Sequence, residues 1–346
     1  ELEELSLLTE EGAKRAKLDL TLPDNKPKES ETVGSLIRRR LGDEVMDKLV
    51  GPLLGGINAG DADDLCLESG VPQLFNASQG DFSLVRSIQD FLKNQNKDPA
   101  NPVFLTHPDG LQTIVKRLEQ EIDSNILRNE RVTSVEISNN SIAIKGSQEY
   151  QTDAVILCVP AFAAAKLLHD SCPNTSNLLA NIQYASMAFI TFAFNKDDVP
   201  QFNGSGFLVG KDEDLLTTAC SWTSEKWAHL KNDNTVFLRL SVGRFGDTEA
   251  LDMADNTLIK ELKGELATLT GIKADPIATR VTRWPNSFPQ YELGHGKKVN
   301  ALRQRATLEM PGMFLAGSPF KGIGLSACIR DGIDQARKAK NFLMQR

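Results

Sequence analysis

The stretch Phe314-Leu315-Ala316-Gly317-Ser318-Pro319-Phe320-Lys321-Gly322-Ile323-Gly324-Leu325-Ser326-Ala327-Cys328-Ile329 constrains this chain more than any other. It reads as a buried strand that turns on glycines straight into a helix. Gly317, Gly322 and Gly324 let the main chain approach a ligand where a Cβ would collide, and the helix start leaves N–H groups unpaired at the same spot. Such a turn suits an anion. Downstream, Leu325, Ile329, Ile333, Ala336 and Leu343 recur near the 3.6 period, which predicts a helix that buries this stripe and turns Arg330, Asp331, Asp334, Arg337 and Lys338 to the other face. Lys338, Lys340 and Arg346 suit its negative end.

Gly322-Ile323-Gly324-Leu325-Ser326-Ala327 also matches the G-x-G-x-x-A form of a dinucleotide fingerprint. Context argues against that role: about one helix of chain follows, with room for neither the second strand nor the acidic residue roughly 20 positions on. The motif is therefore read as a closing strand, turn and helix.

Upstream, residues 1–30 read as a connector carrying Pro23 and Pro27. Thr32 then caps a helix bearing Val33, Leu36, Ile37, Leu41, Val45 and Leu49, which Gly51-Pro52 ends. Further helices are expected from Asp64 to about Asn96. Arg38-Arg39-Arg40 reads as a solvated helix face, with a membrane- or carboxylate-binding patch as the alternative. Asp61, Asp63 and Asp64 lack a calcium-loop pattern and read as helix-start charges. Phe104-Leu105 reads as a strand leading into the turn Pro108-Asp109-Gly110 and a helix with Leu111, Ile114, Val115, Leu118 and Ile122 on one face; His107 is given a structural role. Alternation across Val132 to Ile144, with a turn at Asn139-Asn140, predicts a hairpin, followed by a buried strand at Ala154 to Val159. From Ile182 to Trp284 the pattern is strand-rich, interrupted by one long helix from Thr248 to Leu269.

Five blocks taken in order carry a specific resemblance. They are Ser35 to Val45 running on to Pro52-Leu53-Leu54-Gly55-Gly56-Ile57-Asn58-Ala59-Gly60-Asp61; Phe104 to Leu111; Ala154-Val155-Ile156-Leu157-Cys158-Val159-Pro160; Arg283-Trp284-Pro285-Asn286-Ser287-Phe288-Pro289-Gln290-Tyr291-Glu292-Leu293-Gly294-His295; and the glycine turn. Together they resemble the protoporphyrinogen and coproporphyrinogen oxidases, within the amine-oxidase-like flavoproteins. Thr218 to His229 and Ser241-Val242-Gly243-Arg244 are most similar to the Gram-positive branch, which favours coproporphyrinogen III.

The resemblance implies a mixed α/β fold: the remainder of an FAD-binding Rossmann-like domain (101–170 and 300–346), a sheet-based substrate domain (171–299) and a mainly helical, substrate- or membrane-proximal subdomain (1–100). It implies FAD, with Ile323, Gly324 and Leu325 under the ring, Gly317 and Gly322 as further cofactor-binding residues, Trp284 near the ring, and Val132 meeting the adenine. It implies a porphyrinogen substrate facing Leu208, Ala219 and Ser241, with Arg244 and Lys226 as candidate partners of its propionates. No catalytic acid or base and no metal ligand is assigned. Molecular oxygen is the implied acceptor, and a ferrochelatase, a second copy or a membrane surface the candidate contacts. Family members open with a glycine-rich β-α-β segment that is not present ahead of Glu1, so the sequence is expected to be a piece of a longer protein. An FAD amine oxidase and an inert truncated fragment are the competing readings.

Composition narrows the remaining classes. With 39 lysines and arginines against 46 acids, the formal charge of −7 disfavours a nucleic-acid-binding protein. The longest apolar run, Ala154 to Leu168, falls short of the roughly 20 residues a bilayer span needs. Five cysteines without a C-x-x-C pair fit a reduced, cytoplasmic setting.

Overall fold

A computed structural model describes residues 7–23, 26, 30–80, 82–94, 104–122 and 124–346. The first strands, β1 (Ser134–Ser138), β2 (Ser141–Lys145) and β3 (Glu149–Thr152), form an antiparallel meander. Asn139 and Asn140 both have positive φ, the geometry a two-residue hairpin requires. β4 (Val155–Leu157) then enters the interior; it is shorter than the Ala154 to Val159 run suggests.

A five-stranded antiparallel sheet follows, built from β5 (Tyr184–Asn195), β6 (Gly206–Leu208), β7 (Thr217–Trp222), β8 (Thr235–Val242) and β9 (Ala278–Pro289) in the order β6-β7-β8-β5-β9. One face is apolar. Ile190, Phe192, Phe194, Cys220, Leu238, Leu240 and Val242 pack there against Leu258, Leu262 and Leu266 of the helix Asp255–Thr270. This helix is separated from Glu249–Asp252 by extended backbone at Met253 and Ala254, so Thr248 to Leu269 is two helices instead of one. Burial pushes the Cys220 thiol up to about 12. The opposite sheet face is left for a different neighbour.

β10 (Met313–Leu315) closes the chain's topology by pairing in parallel with β4, Leu315 opposite Leu157. Around this pair, the helices Ala161–Leu168, Pro173–Ala180 and His295–Glu309 bury Ala164, Leu168, Leu179, Val299, Leu302 and Met310 in a second core.

The third core is helical. Thr32 caps Val33–Leu41 through its hydroxyl, which accepts from the Ser35 amide at 3.0 Å, and Val33, Leu36 and Ile37 are buried. Pro52 does not end the helical run. It sits in the first turn of the next helix, Gly51–Asn58, where its missing N–H costs nothing. Before the first core helix, Glu10–Lys17 forms a further helix where a connector was expected; Thr9 caps it.

The arginine run is neither a solvated face nor an open anion patch. Arg40 is buried against Asp19, Arg39 pairs with Glu31, and Arg38 bonds Asp43, Asp47 and Asp63. Those bonds hold the Arg38 guanidinium well above its ordinary range. Asp61 and Asp63 are accordingly ion-pair partners, of Lys211 and Arg38, and not helix-start charges.

Phe104 and Leu105 form no strand and are exposed. The helix Gln112–Glu121 has the expected periodicity yet buries none of its residues. His107 accepts from the Asp109 amide at 3.1 Å, a local turn contact. Among the described residues, no helix is long and apolar enough to cross a membrane.

Candidate functional site

The glycine turn leaves β10 at Ala316, whose amide still donates to Leu157. Gly317 (φ 121°) and Gly322 (φ 123°) then take conformations that side-chain-bearing residues rarely adopt, and between them lies the short helix Ser318–Lys321. Two buried side chains hold the turn. Asp331 accepts from the Gly317 amide at 3.1 Å and from Arg303 at 2.7 and 2.8 Å, while Arg303 also donates to the Leu315 carbonyl. The Tyr291 hydroxyl donates to the Ser318 carbonyl at 2.5 Å and accepts from the Gly322 amide at 2.6 Å.

Past Gly322 the backbone changes character. The amides of Ile323, Gly324, Leu325 and Ser326 have no hydrogen-bond partner among the described residues, and the helix Leu325–Met344 begins immediately behind them. A Cβ built on Gly324 would meet nothing within 4 Å, so open space stands beside the backbone there.

The helix lies the other way round from its apolar periodicity. Leu325, Ile329 and Ile333 are about half exposed, and Asp331, Gln335 and Ala339 are the buried positions. Asp331 reaches Arg303 and Gly317 on the β10 side, so the face that packs inward carries the polar residues. Its end also differs from expectation, since Arg346 pairs with Asp153 and bonds the Asn140 carbonyl instead of serving the helix's own carbonyls.

The chemistry of this donor set fits a flavin. Four free amides at a helix start stabilise negative charge on a ring, Gly324 leaves room for it, and the half-exposed Leu325 offers an apolar edge. Val132 is partly buried against the core that contains Leu315 and Phe320.

The candidate substrate residues lie on the sheet face turned away from the Asp255–Thr270 helix. In register, Leu208 stands opposite Ala219, Ala219 opposite Ser241, Ser241 opposite Phe189, and Phe189 opposite Thr282. These five form one cross-strand row. Trp284, half exposed, follows on the same face of β9. A bulge between Thr217 and Ala219 lets Thr217 face the core while Ala219 faces the row. The bulged Thr218 donates to the Ser241 carbonyl at 3.1 Å.

Between this sheet and the helical block lies a cavity of about 430 Å³, lined by Gly51, Gly55 and Gly56 on one side and by Val209, Thr218 and Arg244 on the other. Gly243 (φ 86°) swings Arg244 off the end of β8, and Phe245 docks this turn by donating to the Ala59 carbonyl at 2.7 Å. Five aspartates, Asp47, Asp61, Asp63, Asp64 and Asp212, share the cavity with Arg38, Lys211 and Arg244. Burial alone would raise Asp61, but the Lys211 ammonium and the Asp63 amide outweigh it and hold the carboxyl below its ordinary value. Arg38 and Lys211 are thus committed. Arg244 has no carboxylate partner among the described residues, and its Nε is buried without a hydrogen bond. Of the predicted substrate residues Arg244 alone lines this cavity; Leu208, Ala219 and Ser241 lie on the sheet row beside it, and Lys226 lies over the rings of Phe104 and Trp227 at 5.7 Å.

A model of flavin-containing amine oxidoreductases matches residues 3–339. The chain belongs to that family. A coproporphyrinogen III oxidase of Bacillus subtilis is 33% identical over 340 residues, covering 96% of this chain and 72% of the relative. One from Staphylococcus aureus is 28% identical, covering 94% of this chain and 72% of that protein. Among solved structures, an Exiguobacterium protein provisionally assigned as a protoporphyrinogen oxidase superposes with a TM-score of 0.84 at 25% identity, over 100% of this chain and 75% of its own. A putrescine oxidase superposes at 0.68 with 12% identity, covering 98% of this chain and 77% of that one, and shows the shared fold. The fold is the mixed α/β arrangement of these flavoproteins, and FAD is the cofactor of the family.

Tyr291, His295, Arg303 and Asp331 were not singled out as site residues from sequence. The signal available was weak: Tyr291 lies in the block Arg283 to His295, and Asp331 appears only as one charge on an amphipathic helix.

Proposed function

We propose that this protein oxidises a porphyrinogen, coproporphyrinogen III before protoporphyrinogen IX, in haem biosynthesis, using FAD and molecular oxygen. The observation that carries this reading is the row of four free amides at the mouth of the terminal helix, in a chain whose relatives are coproporphyrinogen III oxidases over nearly its full length. When bound, FAD supplies the hydride acceptor and passes the electrons on to oxygen. The protein's own share is binding, orientation and exclusion of water. Ile323, Gly324, Leu325 and Ser326 present N–H groups to the ring, with Gly317 and Gly322 shaping the approach, Val132 toward the adenine end and Trp284 at the edge of the substrate face.

Leu208, Ala219 and Ser241 then form the wall a flat macrocycle lies on, and their small or apolar side chains suit a wide disc. Arg244 takes one propionate, because it is the cavity cation whose charge no aspartate answers. Lys226 is assigned to the outer edge. An amine oxidase would want an aromatic cage for its substrate, whereas Phe245 is the single aromatic lining the cavity among the described residues. The five cysteines, all free, fit a cytoplasmic setting.

Steady-state oxidation of porphyrinogens by the purified, FAD-supplied protein tests the reading, with porphyrin fluorescence as the signal. Arg244→Ala is expected to raise KM for the tetracarboxylate coproporphyrinogen III about tenfold, the scale of one charge-assisted hydrogen bond, and to affect a dicarboxylate less. Equal effects on both substrates would take Arg244 out of the site.

A further inference from the structure

We infer that Tyr291 is a positioning residue of the flavin site: its hydroxyl fixes Gly322 so that the amides of Ile323 to Ser326 stand together as one cradle. The inference rests on the flavin reading of the turn and not on the identity of the reduced substrate.

Tyr291 is 4% exposed, and its ring belongs to the helical core together with Leu65, Leu67 and Leu84. The ring of His295 stacks on it at 4.0 Å and 13°, which sets the plane of the phenol. From that rigid base the hydroxyl reaches across to the glycine turn and bonds both ends of Ser318–Lys321, the Ser318 carbonyl and the Gly322 amide. One oxygen therefore ties the turn to a different core from the one that carries β10. The Gly322 φ of 123° is one that glycine tolerates and does not enforce, and its carbonyl accepts only a weak thiol bond from Cys328 at 3.4 Å. With the Gly317 amide held by Asp331 and the Gly322 amide by Tyr291, the free donors past Gly322 are consecutive and begin at Ile323. Ile323 itself packs against the same helical core, so the first free amide is anchored on the side Tyr291 comes from. Burial pushes the phenol above its ordinary value, which keeps the proton on an oxygen that donates to Ser318.

Tyr291→Phe keeps the ring, the stack and the core volume and removes the oxygen alone. Amide hydrogen exchange in cofactor-free protein and FAD titration read the two halves of the inference. In the unaltered protein, Gly322 is expected to exchange slowly before FAD is added, and Ile323 to Ser326 to gain protection after it. In Tyr291→Phe, exchange at Gly322 to Ser326 speeds up, FAD Kd rises about tenfold, and the visible spectrum of the bound flavin shifts, because two backbone groups lose their shared partner. An unchanged Kd and spectrum would reduce Tyr291 to a structural residue and overturn the inference, as would fast exchange at Gly322 in the unaltered protein. Failure of the unaltered protein to take up FAD overturns the flavin reading and the inference with it. FAD uptake without porphyrinogen oxidation overturns the substrate reading alone and leaves Tyr291 to be judged by its own titration.

Discussion

Replacing Asp19 by alanine is expected to remove about 3–5 kcal/mol of stability, enough to unfold a large share of the molecules at physiological temperature. Asp19 is fully buried, and its two oxygens are both engaged: one accepts from Arg40 Nε at 2.5 Å, the other from the Ser83 hydroxyl at 2.7 Å and the Val85 amide at 2.9 Å. Arg40 is 2% exposed and also donates to the Asp19, Pro23 and Phe82 carbonyls. Removing the carboxylate takes a shared buried acceptor from Arg40, the Ser83 hydroxyl and the Val85 amide. The double variant Asp19→Leu/Arg40→Met, which removes both charges at once, is expected to recover the greater part of the loss. Urea denaturation of the single and double variants checks both statements. A single-variant loss below about 1 kcal/mol would mean that water reaches Arg40, contrary to its burial.

Asp331→Ala is expected to cost a similar amount, again about 3–5 kcal/mol, and to carry a functional loss that Asp19→Ala does not. The Asp331 side chain is 1% exposed and its partner Arg303 12%. Arg303 lies over the Phe320 ring at 5.0 Å, with its Nε buried and unbonded, so loss of the carboxylate leaves it the Leu315 carbonyl as a neutral acceptor. The same carboxylate holds the Gly317 amide, where the chain leaves β10 for the turn. Loss of stability should therefore come with weakened FAD binding, and Asp331→Asn, which can still accept from Gly317, should separate the two by keeping more of the binding than of the stability. Thermal melts paired with FAD titrations decide this. Asp331→Ala with unchanged cofactor affinity would show that Gly317 is held without it.

How much of this could be read in the residues depended on whether the determinant was periodic. The β5–β9 strands and the helix Asp255–Thr270 carry strong alternation or 3.6-residue repeats, and their apolar faces are the ones buried. The glycine turn was legible because glycines, a strand and a helix start fall within sixteen residues. The terminal helix shows where that logic fails. Its apolar stripe at Leu325, Ile329 and Ile333 is half exposed and Asp331 is buried, because the partners of Asp331, Arg303 and Gly317, lie on the β10 side and are not visible in the helix's own periodicity. The Arg38-Arg39-Arg40 run was misread because its acceptors lie outside its own helix, Glu31 ahead of it and Asp19 and Asp63 21 and 25 residues from Arg40 and Arg38, so local composition carries no information about the pairing. Pro52 misled because its position in a first turn depends on the π-helical turn Met46–Val50 just ahead of it. Tyr291 was hidden in another way, as one tyrosine whose two partners are backbone groups beyond the reach of any side-chain pattern.

Gly324→Val tests most directly whether the free amides face a flavin, because the added side chain meets no protein atom within 4 Å of its Cβ. The expected result is a thermal midpoint close to that of the unaltered protein, together with at least about a tenfold loss of FAD affinity from the collision with the ring. An unaltered protein that takes up FAD and a Gly324→Val variant that binds it equally well would contradict the account.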